Sequence, residues 1–171
     1  MNKEKKQKEC PVEIAGGLDN SVRKFLQNPK KILRPYIKEG MTVLDLGCGP
    51  GVFTMDIAKM LNNSGKVIAA DLQDGMLDIV RRKISGTSLN KLVTLHKCSE
   101  NSIGITEKVE FVLAFYMIHE VPDPDRLFEE LSSILHPGGS IFIVEPKFHV
   151  SKKAFESMID KLKGKGLTIV Q

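Results

Sequence analysis

Short apolar segments alternate with amphipathic segments along this chain, and the alternation predicts strands and helices in turn. Apolar runs predict buried strands over residues 42–46, 67–70, 92–95, 109–115 and 140–144. Apolar residues at helical spacing predict helices over residues 29–37, 52–61, 76–84, 125–135 and 152–162. Residues 167–170 predict a sixth strand, and His-Pro-Gly-Gly at 136–139 predicts the turn before the fifth.

Strands that alternate with helices in this way predict an α/β fold with a doubly wound, mostly parallel sheet. Helices then cover both faces of the sheet, and the crossover connections are right-handed. Sheets of this kind bind their ligands at the carboxyl ends of the strands. The residues that follow each predicted strand are therefore the first candidates for a functional site.

A turn with three glycines separates the first predicted strand from the helix that follows it. The turn reads Gly47-x-Gly49-x-Gly51, with Pro50 between the last two glycines. At a helix N-terminus the first backbone N–H groups have no intrahelical partner, and glycines let a ligand approach them closely. This layout predicts a site for a nucleotide-like ligand.

The acid at the end of the first strand, Asp45, narrows the choice of ligand. Dinucleotide sites use G-x-G-x-x-G, with the pyrophosphate over the start of the helix. Here the glycine spacing differs, and a carboxylate stands two residues before the first glycine. A carboxylate repels a pyrophosphate but can hold a cationic amine. A ligand with an amino-acid end and a nucleoside end fits better than NAD, and S-adenosylmethionine is such a ligand.

A second acid, Asp71, ends the second predicted strand about twenty residues beyond Gly51. A carboxylate at this distance from a glycine turn accepts hydrogen bonds from ribose hydroxyls in nucleotide-binding folds. The alternative is that Asp71 caps the helix that starts near Asp74. We favour the ribose role, which makes Asp71 the second main residue of the predicted site.

The sequence resembles the class I S-adenosylmethionine-dependent methyltransferases, whose first motif commonly reads V-L-D-x-G-C-G-x-G. Residues 43–51 read V-L-D-L-G-C-G-P-G, and the resemblance extends from about residue 28 to residue 145. It is strongest to small-molecule methyltransferases of the domain 11 and domain 25 type. The resemblance implies a Rossmann-like fold, S-adenosylmethionine as cofactor and S-adenosylhomocysteine as product.

The resemblance also implies a cofactor site formed by the first motif and by the ends of the next three strands. The implied residues are Asp45, Gly47, Cys48, Gly49, Gly51, Asp71, Leu72, Cys98, Ser99, Glu100 and Phe115. Leu72 would lie against the adenine, and Cys48 would pack as a small residue under the glycine turn. The family often has Asp where this chain has Cys98. A thiol is a poor acceptor, so adenine recognition would rest on the Ser99 backbone and Glu100.

Residues 115–120, after the fourth strand, resemble a family motif in which a histidine often appears. The histidine here is His119. Histidine is the side chain that most often takes up a proton near neutral pH, so His119 is the candidate general base. The alternative is that His119 makes a hydrogen bond near the strand end and orients a lid.

The composition is that of a soluble globular domain, with 171 residues, 42% hydrophobic and 27% charged. No apolar run approaches the ~20 residues that cross a bilayer, and the charged residues 1–9 do not resemble a secretory signal. We therefore expect a cytoplasmic protein with no membrane partner.

The net charge is a modest +4, and the lysine runs near both termini are typical of solvated tails or helix faces; with two Tyr and no Trp in the chain, nucleic-acid binding is not predicted. Three widely separated cysteines predict reduced thiols rather than disulfides. Paired metal-ligand spacings such as C-x-x-C do not occur, so we predict no metal site.

The sequence predicts a flexible tail over residues 1–20 and a single methyltransferase domain over residues 21–171. Arg23 and Phe25 are candidates for a lid over the cofactor, with plain packing as the alternative. Family members commonly add a seventh, antiparallel strand, for which this chain has no segment. We expect that the chain is truncated; otherwise the sixth strand pairs differently. An open sheet edge predicts a homodimer through that edge.

Methyl transfer to a small-molecule acceptor by in-line displacement is the function these features favour, because 171 residues leave little room for an added recognition domain. One alternative is a methyltransferase acting on protein or nucleic acid, although no N/D-P-P-Y type signature follows the fourth strand. Another is a domain that binds S-adenosylmethionine without catalysis. The glycine spacing and Asp45 argue against an NAD-dependent oxidoreductase.

Overall fold

The structure, a computed structural model, describes residues 29–170. Helices and strands alternate along this part of the chain, with short 3₁₀ helices at Ser88–Lys91 and Ile118–Glu120. The main elements are α1 (Pro29–Leu33), β1 (Thr42–Leu46), α2 (Val52–Met60), β2 (Lys66–Asp71), α3 (Asp74–Ile84), β3 (Val93–Lys97), β4 (Val109–Phe115), α4 (Pro124–Ile134), β5 (Leu135–Val144) and α5 (Lys152–Gly164).

The five strands form one parallel sheet in the order β3-β2-β1-β4-β5. β1 lies in the middle, where Leu46 pairs with Ala70 of β2 and with Ala114 of β4. The order reverses direction at β1, and a crevice opens at the carboxyl ends of the strands at such a switch point. The predicted doubly wound α/β fold is confirmed.

Helices cover both faces of the sheet because alternate strand residues point to opposite sides. Val43, Val67 and Phe111 belong to the core beneath α1, α2 and α3. Leu44 and Val112, one residue further along their strands, belong to the core beneath α4 and α5. Burying a large apolar side chain contributes roughly 1.5–3 kcal/mol, so the two cores hold the strand ends in fixed positions.

The last strand is longer than predicted because the His-Pro-Gly-Gly segment lies within it. β5 begins at Leu135, directly after α4, and Val109 of β4 pairs with Leu135. The next residue pair is Phe111 with Ser140, so the β5 residues 136–139 bulge out of the hydrogen-bonded ladder. Gly138 has φ of +82° there. The predicted turn is therefore a bulge that realigns β5 with β4.

The predicted sixth strand at residues 167–170 is wrong, since these residues have no regular secondary structure. The chain ends α5 in a Schellman motif: Leu167 N–H donates to Leu162 O at 3.3 Å, and Gly166 N–H donates to Lys163 O at 2.9 Å. Leu167 then packs on the same core as Leu162. The apolar residue that suggested a strand serves instead as the hydrophobic contact of this helix end.

The first helix is shorter than predicted and ends at Leu33. Pro35 disfavours helical backbone at the residue before it and has no N–H to donate, so the helix stops there. A turn follows in which Ile37 N–H donates to Leu33 O at 3.0 Å. Ile37 and Leu33 are nonetheless both buried in the core.

Several predictions fall outside the described residues, namely the tail at 1–20 and the lid candidates Arg23 and Phe25. In the part of the sheet that the structure describes, β3 and β5 are the edge strands. A homodimer through the β5 edge stays a prediction. Between residues 29 and 170, no helix combines the length and the apolar character needed to cross a membrane.

Candidate functional site

A cleft of about 1080 Å³ opens at the carboxyl ends of the strands. The ends of β1, β2 and β4 form its floor, and the segments after β3, β4 and β5 form its walls. The lining includes all of the predicted site residues except Gly51: Asp45, Gly47, Cys48, Gly49, Asp71, Leu72, Cys98, Ser99, Glu100, Phe115 and His119.

The glycine turn after β1 is held against β2 by its backbone. The N–H groups of Gly47 and Cys48 both donate to Ala70 O, at 2.9 and 3.0 Å. Gly49 has φ of +52°, and a Cβ added there would meet no atom within 4 Å, so this part of the turn faces open space. A ligand can therefore approach the Gly49 backbone closely.

Gly51 has a packing role rather than a place on the cleft wall. It precedes α2 with φ of +81°, and a Cβ there would lie 2.8 Å from Val80 Cγ2 of α3. A side chain would therefore force α2 and α3 apart. The third glycine of the motif positions the helix whose N-terminus faces the cleft.

Asp45 lies at the base of the cleft and is 2% exposed. Thr54 Oγ1, from the first turn of α2, donates to Asp45 Oδ2 at 2.5 Å. Burial raises the pKa of Asp45 to about 7; the Thr54 hydrogen bond opposes the rise, and the nearby Asp71 charge adds to it. The carboxylate is therefore poised to gain a cationic partner. Sequence reasoning assigned no role to Thr54, whose contact with Asp45 exists only once α2 packs on β1.

Asp71, at the end of β2, is connected to the glycine turn. Its Oδ2 accepts from Gly49 N–H at 2.8 Å, and its Oδ1 accepts from Gln73 N–H at 2.8 Å. Burial raises the pKa of Asp71, and these backbone hydrogen bonds oppose the rise. Asp71 thus holds both the turn and the entry to α3. The Leu72 backbone also hydrogen-bonds to this carboxylate, which has about four acceptor positions in all, so capacity for a ligand hydroxyl remains.

Both cysteines of the cleft carry neutral thiols. Burial is the main cause that raises the pKa of Cys48, and it raises the pKa of Cys98 to about 11. Cys48 packs in the core under the turn, as predicted. Cys98 N–H donates to Asp71 O at 3.0 Å, and the following segment closes on itself through the Ser99–Ser102 bridge. This part of the wall is polar, with Glu100 exposed at its rim.

An aromatic wall stands across the cleft from Asp71. Phe115, at the end of β4, packs on Phe53 and on Tyr116, with ring centroids 4.7 and 4.3 Å apart. Tyr116 has φ of +56°, a conformation that costs free energy for a residue with a side chain. Its N–H donates to Val144 O at 2.8 Å, which fixes this conformation. The strained residue turns the chain from β4 into the 3₁₀ helix that carries His119.

Glu145 directly follows β5, and its Oε2 lies 2.5 Å from His119 Nδ1. Glu145 Oε1 also accepts from Ile118 N–H at 2.9 Å. The His119 ring stacks on His149, with centroids 5.4 Å apart and planes at 9°. Phe148 is 78% exposed at the mouth of the cleft. Sequence reasoning missed Glu145, Phe148 and His149; the one available signal was that Glu145 is an acid at a strand end.

No group of three or more His, Cys, Asp or Glu side chains between residues 29 and 170 is arranged to hold a metal ion.

Comparison of the sequence and comparison of the structure with known proteins both find methyltransferases. The family described as "Methyltransferase domain" matches residues 43–139. A crystal structure described as a SAM dependent methyltransferase from Aquifex aeolicus superposes with a TM-score of 0.82 at 28% identity, over 95% of this chain and 92% of that one.

Two curated relatives have longer chains. The demethylmenaquinone methyltransferase of Lactobacillus johnsonii is 33% identical over 148 residues, 84% of this chain and 59% of its own length. The ubiquinone/menaquinone biosynthesis C-methyltransferase of Edwardsiella ictaluri is 26% identical over 125 residues, 71% of this chain and 50% of its own length. The chain thus spans between half and three fifths of these relatives.

The family match covers the glycine turn, both buried acids and the segment that carries His119. The superposed structure has the same fold over nearly its whole length. This chain belongs to the methyltransferase domain family, within the class I S-adenosylmethionine-dependent methyltransferases.

Proposed function

We propose that this chain binds S-adenosylmethionine in the cleft and transfers its methyl group to a small-molecule acceptor by in-line displacement. One observation carries the proposal: two buried carboxylates, Asp45 and Asp71, flank a glycine turn at neighbouring strand ends. One suits a cationic amine, and the other suits a pair of hydroxyls. A ligand with an amino-acid end and a ribose matches both.

The amino-acid end of the cofactor fits against Asp45 and the glycine turn. Asp45 is buried beside the uncharged Thr54 and the like charge of Asp71, so a cationic α-amino group would relieve an unfavourable environment. The open backbone at Gly49 accepts the approach of the ligand without a side chain in the way. Asp45, Gly47 and Gly49 are the residues we assign to this end, with Cys48 packed beneath them and Gly51 setting the helix position.

The ribose and adenine fit along the end of β2 and the segment after β3. The acceptor capacity that remains on the Asp71 carboxylate is suited to the ribose hydroxyls. Leu72 and Met76 give an apolar surface for the ring. Ser99 and Glu100 supply polar groups at its edge, and the neutral Cys98 thiol supplies only weak hydrogen bonding.

When bound, S-adenosylmethionine supplies a methyl group on a sulfonium that is already activated towards displacement. The protein then has to align the acceptor with the methyl carbon and to exclude water. Phe115 and Tyr116 form the wall that would hold the acceptor in line. His119 is the residue placed to take a proton from it.

The acceptor occupies the part of the cleft lined by Phe115, Tyr116, His119 and Phe148. At about 1080 Å³ the cleft is slightly larger than the ~300–1,000 Å³ typical of small-ligand sites, so it has room for cofactor and acceptor together. Curated relatives are named for methylation of demethylmenaquinone. A quinone-type small molecule is therefore the first acceptor to test.

Two experiments test the proposed function. Isothermal titration calorimetry with S-adenosylmethionine, and separately with NAD, should show binding of the first only; binding of NAD alone would overturn the proposal. Incubation with methyl-labelled cofactor and a metabolite extract should then transfer label to a small molecule. Label found only on protein or nucleic acid would overturn the small-molecule assignment, and binding without any transfer would identify a non-catalytic binding domain.

Cofactor affinity should depend on pH through Asp45. Its pKa is about 7 without a ligand charge beside it, and a cationic ligand favours the ionised carboxylate. Binding below pH 7 therefore releases a proton, and the affinity rises as the pH rises through 7. We expect the dissociation constant of S-adenosylhomocysteine to fall about tenfold between pH 6 and pH 8. At pH 6, one unit below the pKa, only about one tenth of the Asp45 side chains are ionised, whereas at pH 8 nearly all of them are.

Calorimetry in two buffers of different ionisation enthalpy measures the proton release directly. The Asp45→Asn variant should bind more weakly at pH 8 and lose most of the pH dependence. Asp71 also faces this region and has a raised pKa, so its Asn variant is the matched comparison. A wild-type affinity that is flat between pH 6 and pH 8 would contradict the pairing of the amine with an Asp45 whose pKa is about 7.

A further inference from the structure

A buried carboxylate stands behind His119. The side chain of Glu145 is 2% exposed, and its two oxygens accept from two different donors: Ile118 N–H at 2.9 Å and His119 Nδ1 at 2.5 Å. An ionised carboxylate can only accept hydrogen bonds, so the proton of this second contact belongs to Nδ1. His119 reaches the cleft, whereas Glu145 lies behind it.

We propose that Glu145 is a positioning residue that fixes His119 in the tautomer with the proton on Nδ1, so that Nε2 is the nitrogen that takes a proton from the methyl acceptor. In a neutral imidazole one nitrogen donates and the other accepts, and the partner of the first decides the role of the second. This inference rests on the proposed function for its chemical consequence. The tautomer of His119 is a property of the protein alone and can be measured without cofactor or acceptor.

The neighbours of His119 restrict the ring in orientation as well as in protonation. His149 stacks on it with planes at 9°, which fixes the plane of the ring. Glu120, on the same 3₁₀ helix, places its Oε1 4.0 Å from Nε2 and adds a second acidic side chain beside the ring. Glu145 on one edge and His149 on one face thus hold the ring while only 22% of its side chain is exposed.

This arrangement indicates an acceptor that must lose a proton, such as a hydroxyl or an acidic C–H. The acceptor's proton passes to Nε2, and the electron pair left on the acceptor atom forms the bond to the methyl carbon. The pair of the broken carbon–sulfur bond stays on sulfur. His119 becomes a cation in this step, and the buried Glu145 carboxylate stabilises that charge.

Nitrogen-15 NMR of the histidine side chains tests the tautomer without any acceptor. At a pH where the ring signals show neutral imidazole, wild-type His119 should have a protonated Nδ1 and an unprotonated Nε2; a His119→Gln variant assigns its signals. A protonated Nε2 in the wild type would overturn the proposal on its own.

The Glu145→Gln variant should reverse the tautomer. The glutamine amide has one acceptor oxygen, whereas the carboxylate had two. The Ile118 backbone N–H can only donate, so it should keep the amide oxygen, and the amide NH₂ should then donate to His119 Nδ1. His119 should then carry its proton on Nε2. An unchanged tautomer in a folded Glu145→Gln protein would overturn the proposal, because it would leave Glu145 a merely structural role.

Glu110→Gln is the matched control. Glu110 also accepts a backbone N–H, that of Thr42 at 2.7 Å, but on β4 away from His119. The Glu110→Gln variant should leave the His119 signals unchanged. Once an acceptor is known, Glu145→Gln should lower kcat at least ~10-fold with an unchanged cofactor dissociation constant. If the NMR result holds and no acceptor is ever methylated, the proposed function fails and the positioning role stands.

Discussion

Replacing Asp71 with alanine is expected to weaken binding of S-adenosylmethionine and S-adenosylhomocysteine at least ~100-fold. A hydrogen bond to a charged group contributes about 1.5–3 kcal/mol, and two ribose hydroxyls on one carboxylate exceed the ~2.8 kcal/mol that corresponds to this factor. The same side chain also holds Gly49 N–H, so its loss loosens the turn that faces the amino-acid end. Isothermal titration calorimetry measures the change directly.

Asp74→Ala is the matched control for this experiment. Asp74 lies three residues further on, its side chain is 78% exposed, and it pairs with Lys97 at 2.8 Å. Its loss should change the dissociation constant less than ~2-fold, because an exposed ion pair contributes about 0–1 kcal/mol. Circular dichroism establishes that both variants fold. A folded Asp71→Ala protein with wild-type affinity would exclude the ribose role and leave Asp71 as a support for the turn and for α3.

Replacing His119 with alanine is expected to lower kcat by about 10²–10⁴ with the acceptor that gains label. This is the range over which a positioned general base acts. The dissociation constant of S-adenosylhomocysteine should stay within ~2-fold of wild type, because His119 lies on the opposite wall from Asp71. Single-turnover transfer of labelled methyl, with cofactor at saturation, separates the two effects.

His136→Gln controls for the loss of a histidine elsewhere. His136 lies exposed in the β5 bulge and bonds to its neighbour Pro137 O at 3.0 Å. Turnover in this variant should match wild type. If turnover is unchanged in His119→Ala, His119 is not the base; if cofactor affinity falls in parallel with turnover, the histidine orients the cleft wall instead.

Local sequence patterns predicted most of the sheet because its three central strands, β1, β2 and β4, are short, mostly apolar and buried. β4, from Val109 to Phe115, lies where its apolar run predicts it. The sixth strand failed for a physical reason. A strand is stable only with a partner, and a short, mostly apolar segment after a helix can instead cover the helix end, as the contact of Leu167 with Leu162 does. Sequence pattern alone does not distinguish the two.

The side of the cleft that we assign to the cofactor could be located from the sequence because its residues are close together along the chain. The glycine turn, Asp45 and Asp71 lie within 27 consecutive positions on two neighbouring strands. The pair formed by His119 and Glu145 was not, since it joins residues 26 positions apart and depends on β4 and β5 being neighbours. Hydrogen bonds between strand ends become visible only once the sheet order is known.

The most direct test of the central claim is a crystal structure of this chain with S-adenosylhomocysteine. The ribose hydroxyls should lie within hydrogen-bond distance of the Asp71 carboxylate, and the α-amino group should lie beside the glycine turn on the side of Asp45. An adenosyl group bound elsewhere, or a ribose turned away from Asp71, would contradict it.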